Sequence, residues 1–389
     1  MPENDIDLDI AVNGTRRLRG RVAPAFSPLI DLLADNLQNH GETGAGLCVY
    51  LAGRPVVDVA LGDQPRGTLQ VTRSISKGVL SLAAHVLGQQ GVIDLDAPVA
   101  TWWPEFAAEG KQDLLVRWIM SHQAGLPALE RPTSTAEGLR WIPVVQALAA
   151  QRPAWTPGTD HGYHDLTYGW LLGEVLQRAT REQVGALLDR LLARPLGLNL
   201  WCGLPLTRMT AVKPIKAACS ASALNAPKTG DAAAHDRVVR VARNPDFAGW
   251  EHRPEYLAAQ IPASNIVSDA PSIARLFAAA AGAVEGVRLL GPGALERSLT
   301  VRADGPDAVV GWDRKYSDGF MLPDPTRPMA GTETPSFGYY GQGGSLAFAD
   351  PSCELGFAYL TRQERLLLDA DPRTSTLAAA ARECALIRG

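Results

Sequence analysis

The chain of 389 residues is short of lysine, of paired cysteine and of unbroken apolar stretches. Each shortage excludes something. Only six of its 37 basic residues are lysine, so a position that needed nothing but positive charge would be filled by arginine. Its five cysteines are scattered without a Cys-x-x-Cys pair, so neither a disulfide framework nor a cysteine zinc site is expected. No apolar run reaches the roughly 18 residues of a membrane-spanning helix. The acidic start "MPENDIDLDIAVNG" lacks the basic-then-apolar profile of an export signal. With a net charge of −4 and no dense basic stretch, the sequence offers nucleic acid no electrostatic footprint. The expectation is a cytoplasmic protein acting on a small molecule, without metal or cofactor.

What is present is enough apolar sequence, 46% of residues, for a large core. "GAGLCVYLAGRPVVDVALG" (44–62) reads as two β-rich runs around a Gly-Arg-Pro turn, hence a hairpin. "SISKGVLSLAAHVLGQQG" (74–91) spaces its apolar residues as a helix and stops at glycine. Helical pattern continues through 114–126, 142–155 and 166–198, and returns at 268–283 behind Asp269. Strand pattern returns at 337–362, and the chain closes on a helix. The implied fold is α+β. An antiparallel sheet is built from both chain ends, because its sequence-adjacent strands are joined by short turns, and a helical lobe is inserted between them. The expected bounds are an N-terminal extension at 1–20, a sheet lobe at about 21–73 and 305–389, and a helical lobe at about 90–300. The irregular stretch 206–262 reads as loops or a cap over a site.

Lysine scarcity directs attention to Ser74 and Lys77 in "TRSISKGVL". With Ser74 opening a helix, a side chain three residues on shares its face. A guanidinium stays charged at any working pH, whereas a desolvated amine can lose its proton and take one from a hydroxyl. Tyr163, in "WTPGTDHGYHDLTYGW", follows a Pro-Gly turn and precedes a helix, from where a phenol can enter a cleft as partner acid and base.

In this order, "SISK", "IMSHQAGLP", "PGTDHGYHDLTYGWLLGEV" and "GQGGSLAFADP" resemble the serine β-lactamase and penicillin-binding-protein superfamily. Within it the chain is most similar to the class C-like family VIII carboxylesterases. The resemblance implies a sheet lobe with a helical lobe, Ser74 as nucleophile, Lys77 as base and Tyr163 as partner acid/base. Its third motif is a strand facing the nucleophile, matched by "YYGQGGSLAF". Tyr339, Tyr340 and Gly341 then line the substrate pocket, and the Gln342 and Ser74 amides form the oxyanion hole. The glycines at 341, 343 and 344 are expected to let backbone approach the substrate. Lys228-Thr229-Gly230 is rejected as this motif because no β pattern surrounds it.

Two departures bear on function. Tyr339 stands where lactam-processing relatives carry a cation, which favours a neutral substrate such as an ester. Asp165 stands where those relatives have asparagine. It is expected near the pocket, either paired with Lys77 or capping the next helix. His122 reads as a packed, hydrogen-bonded residue, since no Gly-x-Ser-x-Gly elbow supports a Ser-His-Asp triad. The leading expectation is an esterase for short to medium acyl groups. A β-lactamase or D-peptidase, or a non-catalytic scaffold of the same fold, are the alternatives.

Overall fold

The computed structural model describes residues 5–14, 16–216, 240–241, 244–365 and 370–387. In chain order the strands are β1 (Ile6–Asn13), β2 (Arg16–Val22), β3 (Gly44–Leu51), β4 (Arg54–Gly62), β5 (Gln70–Val71) and β6 (Leu200–Trp201). They continue as β7 (Val267–Ser268), β8 (Ala303–Pro306), β9 (Asp313–Tyr316), β10 (Phe337–Gly341), β11 (Ser345–Asp350) and β12 (Leu355–Thr361). The main helices are α1 (Pro28–Gln38), α2 (Ile75–Gln89), α3 (Thr167–Thr180), α4 (Ala270–Ala281) and α5 (Pro372–Leu386).

Seven strands form one sheet in the order β1-β2-β4-β3-β12-β11-β10. Every pair is antiparallel, and the chain ends meet where β12 pairs with β3, from Leu355 opposite Leu51 to Thr361 opposite Ala45. β11 and β12 are buried along their whole length, which requires cover on both faces. Alternation assigns that cover. On one face Gly356 meets the backbone of α4 so closely that a Cβ there would overlap Ala274 O and Ala278. On the other, Tyr359 and Thr361 donate hydrogen bonds to the buried Glu42 at 2.8 and 2.7 Å, and Arg373 of α5 pairs with the same carboxylate at 2.9 Å.

Two expected boundaries are corrected. Most of the stretch assigned to an N-terminal extension, 1–20, is sheet: β1 pairs with β2, and β2 with β4. Leu18 and Val22 point into the core, while Arg17 and Arg21 pair across the strands with Asp9 and Asp7 at 2.6 and 2.8 Å. Alternating charge thus marks a half-solvated edge. Likewise α4, counted with the helical lobe, packs on β3, β11 and β12 because its alanine-rich face permits close approach to the sheet. The Asp269 cap behind it is as expected, its carboxylate accepting from Ser272 N at 2.8 Å. Lys228-Thr229-Gly230 and, of the supposed cap, residues 217–239 and 242–243 lie outside the described residues. No helix among the described residues is long and apolar enough to cross a membrane.

Candidate active site

The helix α2 is almost wholly buried, and its small residues are what allow this. At Gly78 a Cβ would already touch Phe277 of α4 at 3.1 Å and Tyr339 of β10 at 3.3 Å, so the helix runs wedged between them. The chain enters it from β5 through Arg73, held at φ 55°, a conformation that non-glycine residues rarely adopt. Ser74 follows as the N-cap and remains partly open to solvent, whereas Lys77, one turn on, is completely buried.

The Lys77 amine has three oxygen partners: Ser74 Oγ at 3.1 Å, Asp165 Oδ1 at 3.2 Å and Ala263 O at 3.1 Å. The Tyr163 phenol reaches Ser74 Oγ from another side at 2.7 Å, with the amine 4.9 Å from its ring centre. Ser74, Lys77 and Tyr163 are therefore brought together, although Tyr163 is 89 residues away in sequence. Asp165 joins them and does not cap: α3 begins after Leu166 with no side-chain cap. Burial raises the Tyr163 phenol above its usual range; the Lys77 charge opposes this and the Asp165 charge adds to it.

A second layer fixes the phenol. The Tyr163 amide donates to Asp307 Oδ1 at 3.0 Å, an oxygen that also accepts from Val309 and Val310 at 2.9 Å. The other Asp307 oxygen takes the Tyr316 hydroxyl at 3.0 Å. Behind Tyr163 stand two buried histidines whose tautomers are set by backbone N–H groups. His164 N donates to His122 Nδ1 at 3.0 Å, so His122 Nε2 carries the proton and donates to the Tyr339 hydroxyl at 2.9 Å. Leu126 N donates to His164 Nε2 at 2.9 Å, leaving His164 Nδ1 to donate to Gly162 O at 2.7 Å. Burial, the largest effect, keeps both rings neutral; it pulls His122 well below the ordinary range and His164 down to about 3. His122 is thus the packed, hydrogen-bonded residue expected of it.

Tyr339 is placed differently from expectation. It is fully buried, its hydroxyl bonded to His122 and its ring edge-on to Tyr168 at 6.4 Å, so its phenol faces the second layer. Tyr168 in turn bonds Ser81 Oγ at 2.6 Å, and Ser81 donates to Lys77 O at 2.7 Å. This chain of hydroxyls braces the α2 turn that carries the amine. Tyr340, on the opposite face of β10, accepts from Met329 N at 2.8 Å. Strand alternation forces one phenol into the core and turns the other toward the 320s loop.

The end of β10 lies against the chain that enters α2. A Cβ at Gly341 would stand 3.1 Å from Thr72 O and 3.5 Å from Arg73 Cβ. Among the described residues the Ser74 and Gln342 amides have no hydrogen-bond acceptor, leaving two N–H groups free at the helix entrance. Gly343 and Gly344 answer to the protein, not to a ligand. Both have positive φ, and side chains there would collide with Glu364 and with Asp371 and Arg373. Among the described residues, no group of three His, Cys, Asp or Glu could hold a metal ion.

Sequence reasoning missed three contributors: the Ala263 carbonyl, the Asp307 carboxylate and the Arg73 side chain. Arg73 Nη1 pairs with Glu251 at 3.0 Å and Nη2 pairs with Glu364, tying two loops to the entry of α2. A backbone carbonyl leaves no mark on side-chain pattern. Asp307 and Glu364 are separated from their partners by more than a hundred residues.

A sequence profile of the family described as beta-lactamase matches residues 29–382. The chain belongs to the beta-lactamase family. The esterase/beta-lactamase LipL of Mycobacterium tuberculosis is 32% identical over 373 residues, covering 90% of this chain and 84% of the relative. A solved family VIII carboxylesterase superposes with TM-score 0.86 at 30% identity, over 94% of this chain and 99% of the other. A penicillin-binding-protein homologue from Caulobacter crescentus gives 0.84 at 31%, over the same shares. The resemblance drawn from four short motifs is borne out along the whole fold.

Proposed function

We propose that this beta-lactamase-family chain is a serine hydrolase that cleaves carboxylic esters of short to medium acyl groups through an acyl-enzyme on Ser74. The observation that carries the reading is the convergence of Tyr163 OH and Lys77 Nζ on one partly open serine oxygen, at 2.7 and 3.1 Å.

The three oxygens around Lys77 accommodate two protonation states without movement. An ammonium donates one proton to each. A neutral amine donates to Asp165 and Ala263 and turns its lone pair to the Ser74 hydroxyl. Asp165 therefore orients the amine and need not silence it. Ser74 Oγ attacks the ester carbonyl as its proton passes to Lys77, and the new oxyanion accepts from the Ser74 and Gln342 amides. The Tyr163 phenol, kept protonated by burial, gives its proton to the leaving alkoxide and is reprotonated from Lys77. Water then attacks the acyl group, passes its proton back through the same pair, and releases Ser74. That similar chains are named esterase or carboxylesterase supports this choice of substrate over an amide.

The test is turnover of p-nitrophenyl butyrate by wild type, Ser74→Ala and Lys77→Arg, beside a chromogenic cephalosporin. Arginine keeps the charge facing Asp165 but cannot take up a proton, so both variants should lose about 10²-fold or more. Unchanged ester turnover in Ser74→Ala refutes the reading. Cephalosporin turnover faster than ester turnover would move the assignment to a β-lactamase.

A further inference from the structure

Among the described residues, the loop between β9 and β10 carries a guanidinium with no hydrogen-bond or ion-pair partner. Arg327 lies over the Tyr340 ring at 4.9 Å, and its charge is within electrostatic reach of the Tyr163 phenol. Tyr340 is two residues from Gln342, and Tyr163 touches Ser74, so this cation borders the reacting centre. Its Nε is buried without a hydrogen-bond partner. Among the described residues none of its side-chain nitrogens donates to anything and no carboxylate stands within ion-pair distance.

The neighbouring carboxylate is already engaged. Asp324 Oδ1 accepts from the Thr326 and Arg327 amides at 2.8 Å and from the Thr326 hydroxyl at 2.7 Å. Its Oδ2 faces Arg314 at 3.8 Å. Burial, and then the Arg314 charge, pull the Arg327 guanidinium below its ordinary value, so the surroundings favour an added anion. Leaving a packed guanidinium with five unused donors is costly, and native proteins satisfy such groups. The residue is only half-buried as a whole.

We propose that Arg327 receives a carboxylate borne by the ester itself, making monoesters of dicarboxylic acids, or esters with a comparable free acid group, the preferred substrates. The inference rests on the Ser74 reading and replaces the expectation, drawn from Tyr339, of a neutral substrate. A planar carboxylate matches the guanidinium fork in two parallel hydrogen bonds, which fixes the ester's orientation as well as its affinity. The Tyr340 ring holds the guanidinium plane, as cation–π packing does elsewhere.

The experiment compares mono-p-nitrophenyl adipate with its methyl-capped diester, which has the same reactive bond and chain but no charge. In wild type the ratio of kcat/KM, acid over capped, should exceed one, mostly through KM. In Arg327→Ala that ratio should fall by about 10- to 100-fold, the worth of a charge-assisted contact. Arg327→Lys should restore part of it. Both substrates are read on one preparation, so any loss of folded enzyme cancels in the ratio. A wild-type ratio of one or less, or the same ratio in wild type and Arg327→Ala, overturns the proposal. Failure of the Ser74 reading looks different: Ser74→Ala would then hydrolyse both substrates.

Discussion

Acid should weaken this protein through the histidine layer behind the phenol. The folded His164 ring, held neutral by burial at about 3, differs from an ordinary imidazole at 6.5. As pH falls, the unfolded chain therefore takes up this proton first. The contribution is complete above about pH 6.5 and is lost progressively toward pH 3. At pH 5 the separation is about 1.5 units, so His164 alone removes about 2 kcal/mol at 1.36 kcal/mol per unit. His122 is shifted in the same direction and adds to the loss. The measurement is urea unfolding at pH 8 and pH 5 for wild type and His164→Gln, whose amide oxygen can still accept from Leu126 N. Carboxylates common to both proteins cancel in the difference. Wild type should lose about 2 kcal/mol more than the variant between the two pH values. Equal losses, or an NMR titration of the folded His164 ring near 6.5, would refute the argument.

Tyr163→Phe should cost about 10²–10⁴ in kcat with little change in KM, the usual worth of a positioned acid. Because burial raises the phenol above 10, wild-type kcat should hold through pH 9 and fall only above about 10, and the variant should lack that limb. At the sheet, Arg373→Met strands the buried Glu42 carboxylate and should cost about 3–5 kcal/mol by denaturant unfolding. Adding Glu42→Gln should recover part of this; a double variant no better than the single would show that the ion pair is not the cause.

Much of the site was legible because its chemistry is local. Ser74 and Lys77 share one helical turn, and the only way lysine surpasses arginine there is by releasing a proton. The β3–β4 hairpin, α2 and the closing strands followed from alternation and turn residues. The first strand pair was not read, although "IDLDI" and "RRLRGRV" alternate, because charged positions on an edge strand look like a solvated tail. Tyr339 was placed in the pocket because a motif fixes a position in the chain. It does not fix the side of the strand.

The sequence by itself determined the family, the α+β architecture and the Ser74–Lys77 pairing on one helical turn, since each is written in contiguous patterns of hydrophobicity and spacing. Only the tertiary structure decided where the long-range partners point. Asp165 turns to Lys77, Ala263 lends a carbonyl, Asp307 holds the Tyr163 loop, and Arg327 lies over Tyr340 with its Nε unpartnered among the described residues. Those pairings depend on which surfaces meet once the two chain ends share a sheet, and no stretch of neighbouring residues encodes that meeting.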